Sequence, residues 1–211
     1  MPSNLTVDVV SVVVCPWCLI GTRRLQQVLA ERPDVTATVS FHPFLLDPTT
    51  PEAGGDLREH LAKKYGMDPE KMFGRVEAVA KETGVPLDFA KVRRFASTVR
   101  AHTLLRHADA KGTQVALVNA FFDAYFLEGK DIGQSAVLAQ IASGHGFTVD
   151  EATALLASDA ELRATREEAA AAAAQGITGV PFFVFGGKFA FSGAQPKEVF
   201  VQALEKATVA S

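Results

Sequence analysis

The amino-acid sequence predicts an α/β fold that carries a large all-helical insertion. Three observations support this prediction. A valine-rich run at residues 5–14 leads directly into a helix-like stretch, and helical periodicity then dominates residues 56–175. Near the end of the chain, two short aromatic runs flank a Gly-Gly pair and precede a last helix. With 211 residues, of which 48% are hydrophobic, the chain can bury a sizeable core.

The first predicted unit is a strand, a helix and a second strand. The run at 5–14 is nearly continuous in β-branched apolar residues, which is typical of a strand covered on both faces. A helix is predicted over residues 16–31, because Pro33 stops it. A second strand is predicted over residues 35–41. The glycine- and proline-marked stretch at 49–55 then predicts a domain boundary.

The middle of the chain is predicted to be helical almost throughout. Glycines recur at spacings that suit helix ends, and Asp150 and Asp159 stand near helix starts. The alanine run at 169–174 fits an ordinary helix, because alanine has the highest helix propensity. The predicted helices span residues 56–65, 69–83, 88–92, 97–111, 113–127, 134–144, 149–157 and 159–175.

A β-hairpin and a helix are predicted to end the chain. Residues 181–185 and 188–191 flank Gly186-Gly187, a two-residue turn that favours a hairpin, and a helix over 196–208 follows. The order β-α-β, a long helical stretch, then β-β-α is that of the thioredoxin fold with a large helical insertion. The predicted domains are a thioredoxin-like domain of residues 1–50 and 160–211 and a helical insertion domain of residues 51–159.

The two cysteines of the chain, Cys15 and Cys18, lie in a Cys-Pro-Trp-Cys motif where the first helix begins. The unpaired N–H groups and the dipole of a helix start favour a thiolate, so we predict a lowered pKa for Cys15. Pro16 suits the first turn because its missing N–H costs nothing there. Cys18 shares the same helix face and lies within disulfide reach. We predict an exposed nucleophile at Cys15, a deeper resolving thiol at Cys18, and a Trp17 ring that caps the cleft and contacts substrates.

Other roles for the motif fit the sequence less well. A zinc site needs two more ligands, and His102 with His107 is the only further pair near the required spacing. A structural disulfide closing so short a loop would contribute only about 2 kcal/mol of stability. Two inert thiols would be unusual at a helix start. The sequence therefore predicts thiol–disulfide chemistry and no metal.

Composition limits the partners and the location that we expect. The formal net charge of −3 gives no electrostatic case for nucleic acid. No apolar run approaches the roughly 20 residues that cross a bilayer, and the valines near the start suit a core strand better than a signal peptide. We therefore expect a cytoplasmic protein without nucleic-acid or membrane partners. In that compartment a lone C-x-x-C pair favours catalysis over a structural disulfide.

A set of motifs gives the chain a family resemblance. The motifs are Cys-Pro-Trp-Cys-x-Ile-Gly at 15–21, Phe-x-Pro-Phe-x-Leu at 41–46, Ala-Tyr-Phe-x-Glu-Gly-x-Asp-Ile at 124–132, Gly-Ile-x-Gly-Val-Pro-Phe-Phe at 176–183 and Ser-Gly-Ala-Gln at 192–195. Over nearly its whole length the chain resembles the FrnE-like branch of the DsbA thioredoxin family. The resemblance implies a protein disulfide oxidoreductase or isomerase that acts through Cys15 and Cys18 on proteins or small molecules with thiols or disulfides. It implies no required cofactor.

The resemblance also assigns a role to the loop before the hairpin. On analogy with the thioredoxin arrangement, it places Pro181 in the cis form opposite the helix end that carries Cys15. The backbone of Val180 is then free to pair with an extended peptide. The substrate-binding residues implied in this way are Pro16, Trp17, Val180 and Pro181.

An alternative function comes from other members of the same superfamily. The 2-hydroxychromene-2-carboxylate isomerases and kappa-class glutathione transferases carry serine where this chain has Cys15. A thiol with a resolving partner favours disulfide exchange, but a glutathione-dependent isomerase or transferase stays open as the alternative. Glutathione is accordingly a candidate redox partner or ligand, and Ser97-Thr98 lies near where glutathione-using relatives have an Asn-Thr pair. The sequence does not fix whether exchange runs towards oxidation or reduction.

Two positions depart from the pattern of the relatives. Val12 stands where many of them carry an aspartate, and Leu19 replaces the usual tyrosine after the motif. If that aspartate moves protons, the group that accepts the proton of Cys18 is left open in this chain. Asp8 and His42 are the candidates that the sequence offers, and each also fits an ordinary polar residue at a strand edge.

Overall fold

The computed structural model describes residues 3–209 and contains a four-stranded mixed sheet and a separate two-stranded one. The strands are β1 (Ser3–Ser11), β2 (Val35–Pro43), β3 (Gly55–Asp56), β4 (Arg94–Phe95), β5 (Phe182–Phe185) and β6 (Phe189–Ser192). The larger sheet has the order β2-β1-β5-β6, with β1 and β2 parallel and the other pairs antiparallel. The predicted thioredoxin order, β-α-β followed much later by β-β-α, is confirmed.

Helices fill most of the long stretch between β2 and β5, as predicted. Those of this stretch are α2 (Leu57–Tyr65), α3 (Pro69–Glu82), α4 (Val99–Ala110), α5 (Gln114–Phe122), α6 (Ser135–Ser143), α7 (Val149–Ala157) and α8 (Asp159–Ala174). The helix α1 (Pro16–Ala30) connects β1 to β2, and α9 (Lys197–Val209) follows β6. Among the helices described, none is long and apolar enough to cross a membrane. The exact boundaries between the two predicted domains stay a prediction.

Three predicted elements are corrected by the structure. The first strand ends at Ser11 rather than at residue 14, because the Cys15 N–H turns back to the carbonyl oxygen of Val12 at 3.1 Å. Residues 88–92 form turns instead of a helix, and the Phe89 N–H donates to a Glu77 carboxylate oxygen at 2.7 Å. The helix predicted over 113–127 is divided into α5 and a π-helical turn at Asp123–Leu127.

The face of the sheet that α1 and α9 cover is built from aromatic and valine side chains. Phe183 packs edge-on against Phe200 of α9, with ring centroids 4.9 Å apart. Phe183 pairs with Val9 of β1. Because side chains alternate along a strand, the side chain of Ser11 points to the same face as that of Val9. This face therefore lies under the helix that begins at the cysteine motif.

The opposite face of the sheet carries polar side chains and packs against the inserted helices. His42 of β2 lies 3.0 Å from an Asp8 carboxylate oxygen through Nε2. Its Nδ1 lies 3.7 Å from a Glu168 carboxylate oxygen in α8. Asp8 is three residues from Ser11, so strand alternation places the two on opposite faces. The sheet thus separates the Asp8–His42 pair from α1.

Candidate active site

Cys15 is the N-cap residue of α1, at the positive end of the helix. Its backbone is extended (φ −96°, ψ 118°), and Pro16 occupies the first turn as predicted. The carbonyl oxygen of Cys15 accepts hydrogen bonds from the N–H groups of Cys18 at 3.0 Å and Leu19 at 3.2 Å. These bonds fix the start of the helix and hold the two cysteines one turn apart.

The pKa of the Cys15 thiol is lowered, which is the direction predicted. The largest cause is a hydrogen bond with the Cys18 side chain, and the N–H groups of Cys18 and Trp17 add to it. Burial acts in the opposite direction because it disfavours the charged form. The helix start therefore contributes as the sequence suggests, but the neighbouring thiol contributes more.

The Cys18 thiol has the opposite character. Burial raises its pKa well above the usual value, and the hydrogen bond and negative charge of Cys15 raise it further. Two contacts act the other way, namely the Val12 backbone and the Ser11 hydroxyl. At neutral pH the pair therefore consists of one activated sulfur and one protonated partner.

Cys15 is less exposed than the sequence led us to expect. Only 7% of its surface is exposed, whereas Cys18 is fully buried as predicted. The expectation of an exposed nucleophile is therefore corrected. Residues distant in sequence surround the start of α1. Cys15 therefore lines a cavity and does not lie at an uncovered helix end.

The cavity beside Cys15 has a volume of about 310 Å³. One side, which we call the thiol wall, consists of the motif and the loop before the hairpin. Its residues are Val14, Cys15, Pro16, Trp17, Gly179 and Val180. Three of the four predicted substrate-binding residues, Pro16, Trp17 and Val180, thus share one surface with Cys15.

The other side of the cavity, which we call the apolar wall, comes from the helical insertion. Its residues are Leu57, Leu61, Tyr65, Met72, Phe73, Val76, Phe89, Tyr125 and Phe126, and Leu46 closes the rim. None of the described residues that line this cavity is charged. The hydroxyl of Tyr125 donates to the Arg94 carbonyl oxygen at 2.8 Å, so it is already engaged. The cavity therefore suits an apolar group next to the reacting sulfur.

The fourth predicted substrate-binding residue, Pro181, lies behind the thiol wall. Its peptide bond with Val180 is cis, the isomer that the family resemblance implies. Pro181 packs on α1 at Gly21, where an added Cβ would lie 3.1 Å from the proline ring and 3.0 Å from the Phe183 ring. Such close approach favours glycine at this position of the helix, because any side chain would have to displace one of the two rings. The contact fixes the loop beside the cysteine motif.

Comparison with protein families identifies one family whose model matches the chain. It matches the DSBA-like thioredoxin domain over residues 6–205, nearly its full length. The chain belongs to this family. The resemblance that the motifs indicated is thereby confirmed. Among curated proteins, none matches the sequence.

Solved structures of the same fold extend the comparison. A probable DsbA oxidoreductase from Streptomyces coelicolor is 33% identical, with a TM-score of 0.87 over 96% of this chain and 89% of that one. A 2-hydroxychromene-2-carboxylate isomerase is 16% identical, with a TM-score of 0.76 over 95% of each chain. A cytosolic disulfide reductase, DsbM from Pseudomonas aeruginosa with GSH, is 17% identical, with a TM-score of 0.59 over 97% and 96%. The last two similarities show the fold alone.

Two sets of sequence candidates are not among the residues that line the cavity in this DsbA-like chain. Asp8 and His42 pair with each other on the far face of the sheet, so both are wrong as neighbours of Cys18. Ser97 and Thr98 line an adjoining space of about 30 Å³, which shares Val14 and Leu46 with the cavity. The sequence therefore located the two cysteines and the loop beside them, but not the polar groups around them.

The part of the apolar wall that α2 and α3 supply is what sequence reasoning missed. Leu57, Leu61 and Tyr65 recur every four residues along α2, which is the spacing of one helix face. Met72 and Val76 repeat that spacing on α3. The pattern marks an apolar face, but it does not show that this face turns towards a cysteine more than forty residues earlier.

Proposed function

We propose that this protein is a thiol–disulfide oxidoreductase that exchanges disulfides through Cys15 and Cys18. The observation that carries the proposal is the pairing of two thiols with opposed properties. Cys15 has a lowered pKa at a helix start, and Cys18, whose pKa is raised, is buried directly beside it. A stabilised thiolate is the attacking species in disulfide exchange, and its protonated neighbour is suited to act second.

The reaction proceeds in two displacements. The Cys15 thiolate attacks one sulfur of a substrate disulfide, which forms a mixed disulfide and releases the other substrate sulfur as a thiolate. Cys18 then loses its proton and attacks the Cys15 sulfur, which expels the second substrate thiolate. The protein ends with a Cys15–Cys18 disulfide and the substrate ends as two thiols. The same steps in reverse oxidise a dithiol, and they need no cofactor beyond the thiol or disulfide partner.

Substrate binding on this proposal uses the thiol wall. Pro16, Trp17 and Val180 line the cavity next to Cys15. Pro181 holds the loop against α1. An extended segment with an apolar side chain beside its disulfide, or a compact molecule, would place its sulfur at Cys15. We keep both protein and small-molecule thiols as the substrate class.

Glutathione is a proposed redox partner. One solved relative of the same fold, a cytosolic disulfide reductase, was determined with GSH, which supports the proposal. That description also supports a cytoplasmic location for this chain, which stays a prediction. Glutathione would regenerate the dithiol by the same pair of displacements.

The experiment that tests the function compares wild-type protein with Cys15→Ala and Cys18→Ala. In an insulin-reduction assay coupled to glutathione, we expect Cys15→Ala to lose all turnover. Cys18→Ala should still form a mixed disulfide at Cys15, which mass spectrometry detects as a covalent adduct. Unchanged turnover by Cys15→Ala would refute the assignment.

A second candidate function is glutathione-dependent isomerisation or transfer. The apolar cavity beside Cys15 favours it, because such a space fits a small apolar substrate. Calorimetry with reduced glutathione separates the two candidates. Saturable binding without a mixed disulfide, together with full isomerase or transferase activity in Cys18→Ala, would favour this alternative.

A further inference from the structure

The hydroxyl of Ser11 is a buried polar group without a settled partner. The residue is only 4% exposed, and its Oγ has no well-aligned hydrogen bond to any described atom. Leaving a buried hydroxyl unpaired costs about 1–3 kcal/mol. A buried hydroxyl of this kind keeps its hydrogen-bonding capacity for a neighbouring group.

The backbone holds Ser11 at a fixed place beside the motif. It is the last residue of β1 and pairs with Pro43 of β2. Its carbonyl oxygen accepts a hydrogen bond from the Phe44 N–H at 3.1 Å. Strand alternation turns its side chain towards α1, the helix that carries Cys18. The hydroxyl is therefore on the face of the sheet that α1 covers, and it is one of the groups that lower the pKa of the Cys18 thiol.

The surroundings of Cys18 contain few groups that could stabilise its anion. Among the described residues, Cys15 is the one titratable group that acts on it, and Cys15 raises the pKa of the Cys18 thiol. Ser11 is the one side chain that lowers this pKa, and the backbone of Val12 assists. Asp8 lies on the other face of the sheet, where it is paired with His42.

We propose that Ser11 donates a hydrogen bond to the Cys18 thiolate during the second displacement. This inference rests on the proposed function. An electron pair of Cys18 forms the bond to the Cys15 sulfur, and the bond between Cys15 and the substrate sulfur breaks with its electrons leaving on the substrate. The proton of Cys18 passes to the departing thiolate or to water. Ser11 keeps its own proton and stabilises the negative sulfur before it attacks.

Thr22, which lies on α1 like Cys18, supplies a matched control for the Ser11 substitution. It is 1% exposed, and its Oγ1 also lacks a hydrogen-bond partner among the described atoms. It lies one turn beyond Cys18, but it is not among the groups that shift the pKa of that thiol. Removing its hydroxyl therefore reproduces the loss of a buried, unpaired polar group without removing a hydrogen-bond donor to the Cys18 thiolate.

The test follows the two displacements separately by stopped flow. Reduced protein is mixed with dithiodipyridine, an uncharged aromatic disulfide whose two thiopyridone groups are released one after the other. The first release reports attack by Cys15 and the second reports attack by Cys18. The proteins compared are wild type, Ser11→Ala, Ser11→Thr and Thr22→Ala, each over a range of pH.

We expect Ser11→Ala to slow the second release about tenfold, because a tenfold change corresponds to the free energy of one hydrogen bond to a charged group. Its pH midpoint for that phase should rise, because a hydrogen bond to the anion lowers the pKa of a thiol. The first release should stay unchanged. Ser11→Thr keeps the hydroxyl and should recover most of the lost rate, and Thr22→Ala should match wild type.

Three outcomes would overturn the inference. They are an unchanged second phase in Ser11→Ala, an equal slowing in Thr22→Ala, and no recovery in a folded Ser11→Thr. One further result would contradict the proposed function itself. If the wild-type protein never releases the second thiopyridone, Cys18 does not resolve the mixed disulfide and the exchange mechanism fails.

Discussion

The thiol wall and the apolar wall face each other across one cavity, yet they are built on different principles. The thiol wall acts through backbone and sulfur, since N–H groups at the start of α1 and the Cys18 thiol lower the pKa of Cys15. The apolar wall offers side chains only, all of them from residues 57–126. The lowered pKa of Cys15 thus depends on the backbone geometry of the helix start and on one neighbouring sulfur. The shape of the cavity depends on apolar side chains that substitutions can change one at a time.

If the two walls are independent, changes in one should leave the other unaffected. The thiol wall should control the rate and pH dependence of every reaction at Cys15. The apolar wall should control only which substrates react. Substitutions in one wall at a time can therefore test this division.

Removing the partner thiol should change the chemistry of Cys15 itself. The Cys18 side chain is the largest cause of the lowered pKa of Cys15. In Cys18→Ala the midpoint of Cys15 alkylation by iodoacetamide should therefore move to higher pH, with on the order of tenfold less thiolate below that midpoint. The second thiopyridone release should disappear.

Alkylation rates measured against pH provide the check, and Thr22→Ala serves as the reference for a lost buried group. An unshifted midpoint in Cys18→Ala would mean that the helix start alone activates Cys15. The thiol wall would then depend on backbone and not on the sulfur pair.

Filling the cavity from the apolar side should affect selectivity alone. Met72 is half-buried on α3 and lines the cavity. Met72→Trp should slow the first reaction with dithiodipyridine on the order of tenfold, because the ring occupies the approach to Cys15. Alkylation by the much smaller iodoacetamide should keep its rate and its pH midpoint.

The matched variant is Ala78→Trp, which places the same side chain at an exposed position of α3. It should react like wild type with both reagents. A shifted pH midpoint in Met72→Trp would show that the apolar wall influences the thiolate, and the division between the two walls would fail.

Two helical glycines provide the mildest comparison. A Cβ on Gly21 would meet the Pro181 and Phe183 rings, so Gly21→Ala should cost about 1–3 kcal/mol of unfolding free energy. Gly74 on α3 has nothing within 4 Å, so Gly74→Ala should stabilise the protein by up to about 1 kcal/mol. Urea unfolding measures both, and equal effects in the two variants would contradict the tight packing behind Cys15.

Local signals in the sequence predicted a large part of this molecule. The strand–helix start at Cys15 and the hairpin around Gly186-Gly187 depend on neighbouring residues, and both are present. The helical middle was predicted for the same reason. Local signals failed at residues 88–92, where a tertiary hydrogen bond from Phe89 to Glu77 holds a turn in place of a helix.

The environment of the cysteines could not be predicted in the same way. Cys15 is covered by helices that come more than forty residues later, and no local pattern shows which face of α2 or α3 turns towards it. Asp8 was a poor candidate for a different reason. Strand alternation already places it on the face opposite Ser11, and this argument was available in the sequence.

The recessed position of Cys15 also acts as a filter on size and shape. With 7% of its surface accessible, the sulfur is out of reach of a disulfide that lies flat on a folded surface. On the proposed function, a substrate must project its disulfide on a loop, on an unfolded segment or as a free small molecule. The recessed sulfur would then make the protein responsive to how a disulfide is presented, independently of how strongly that disulfide is oxidising.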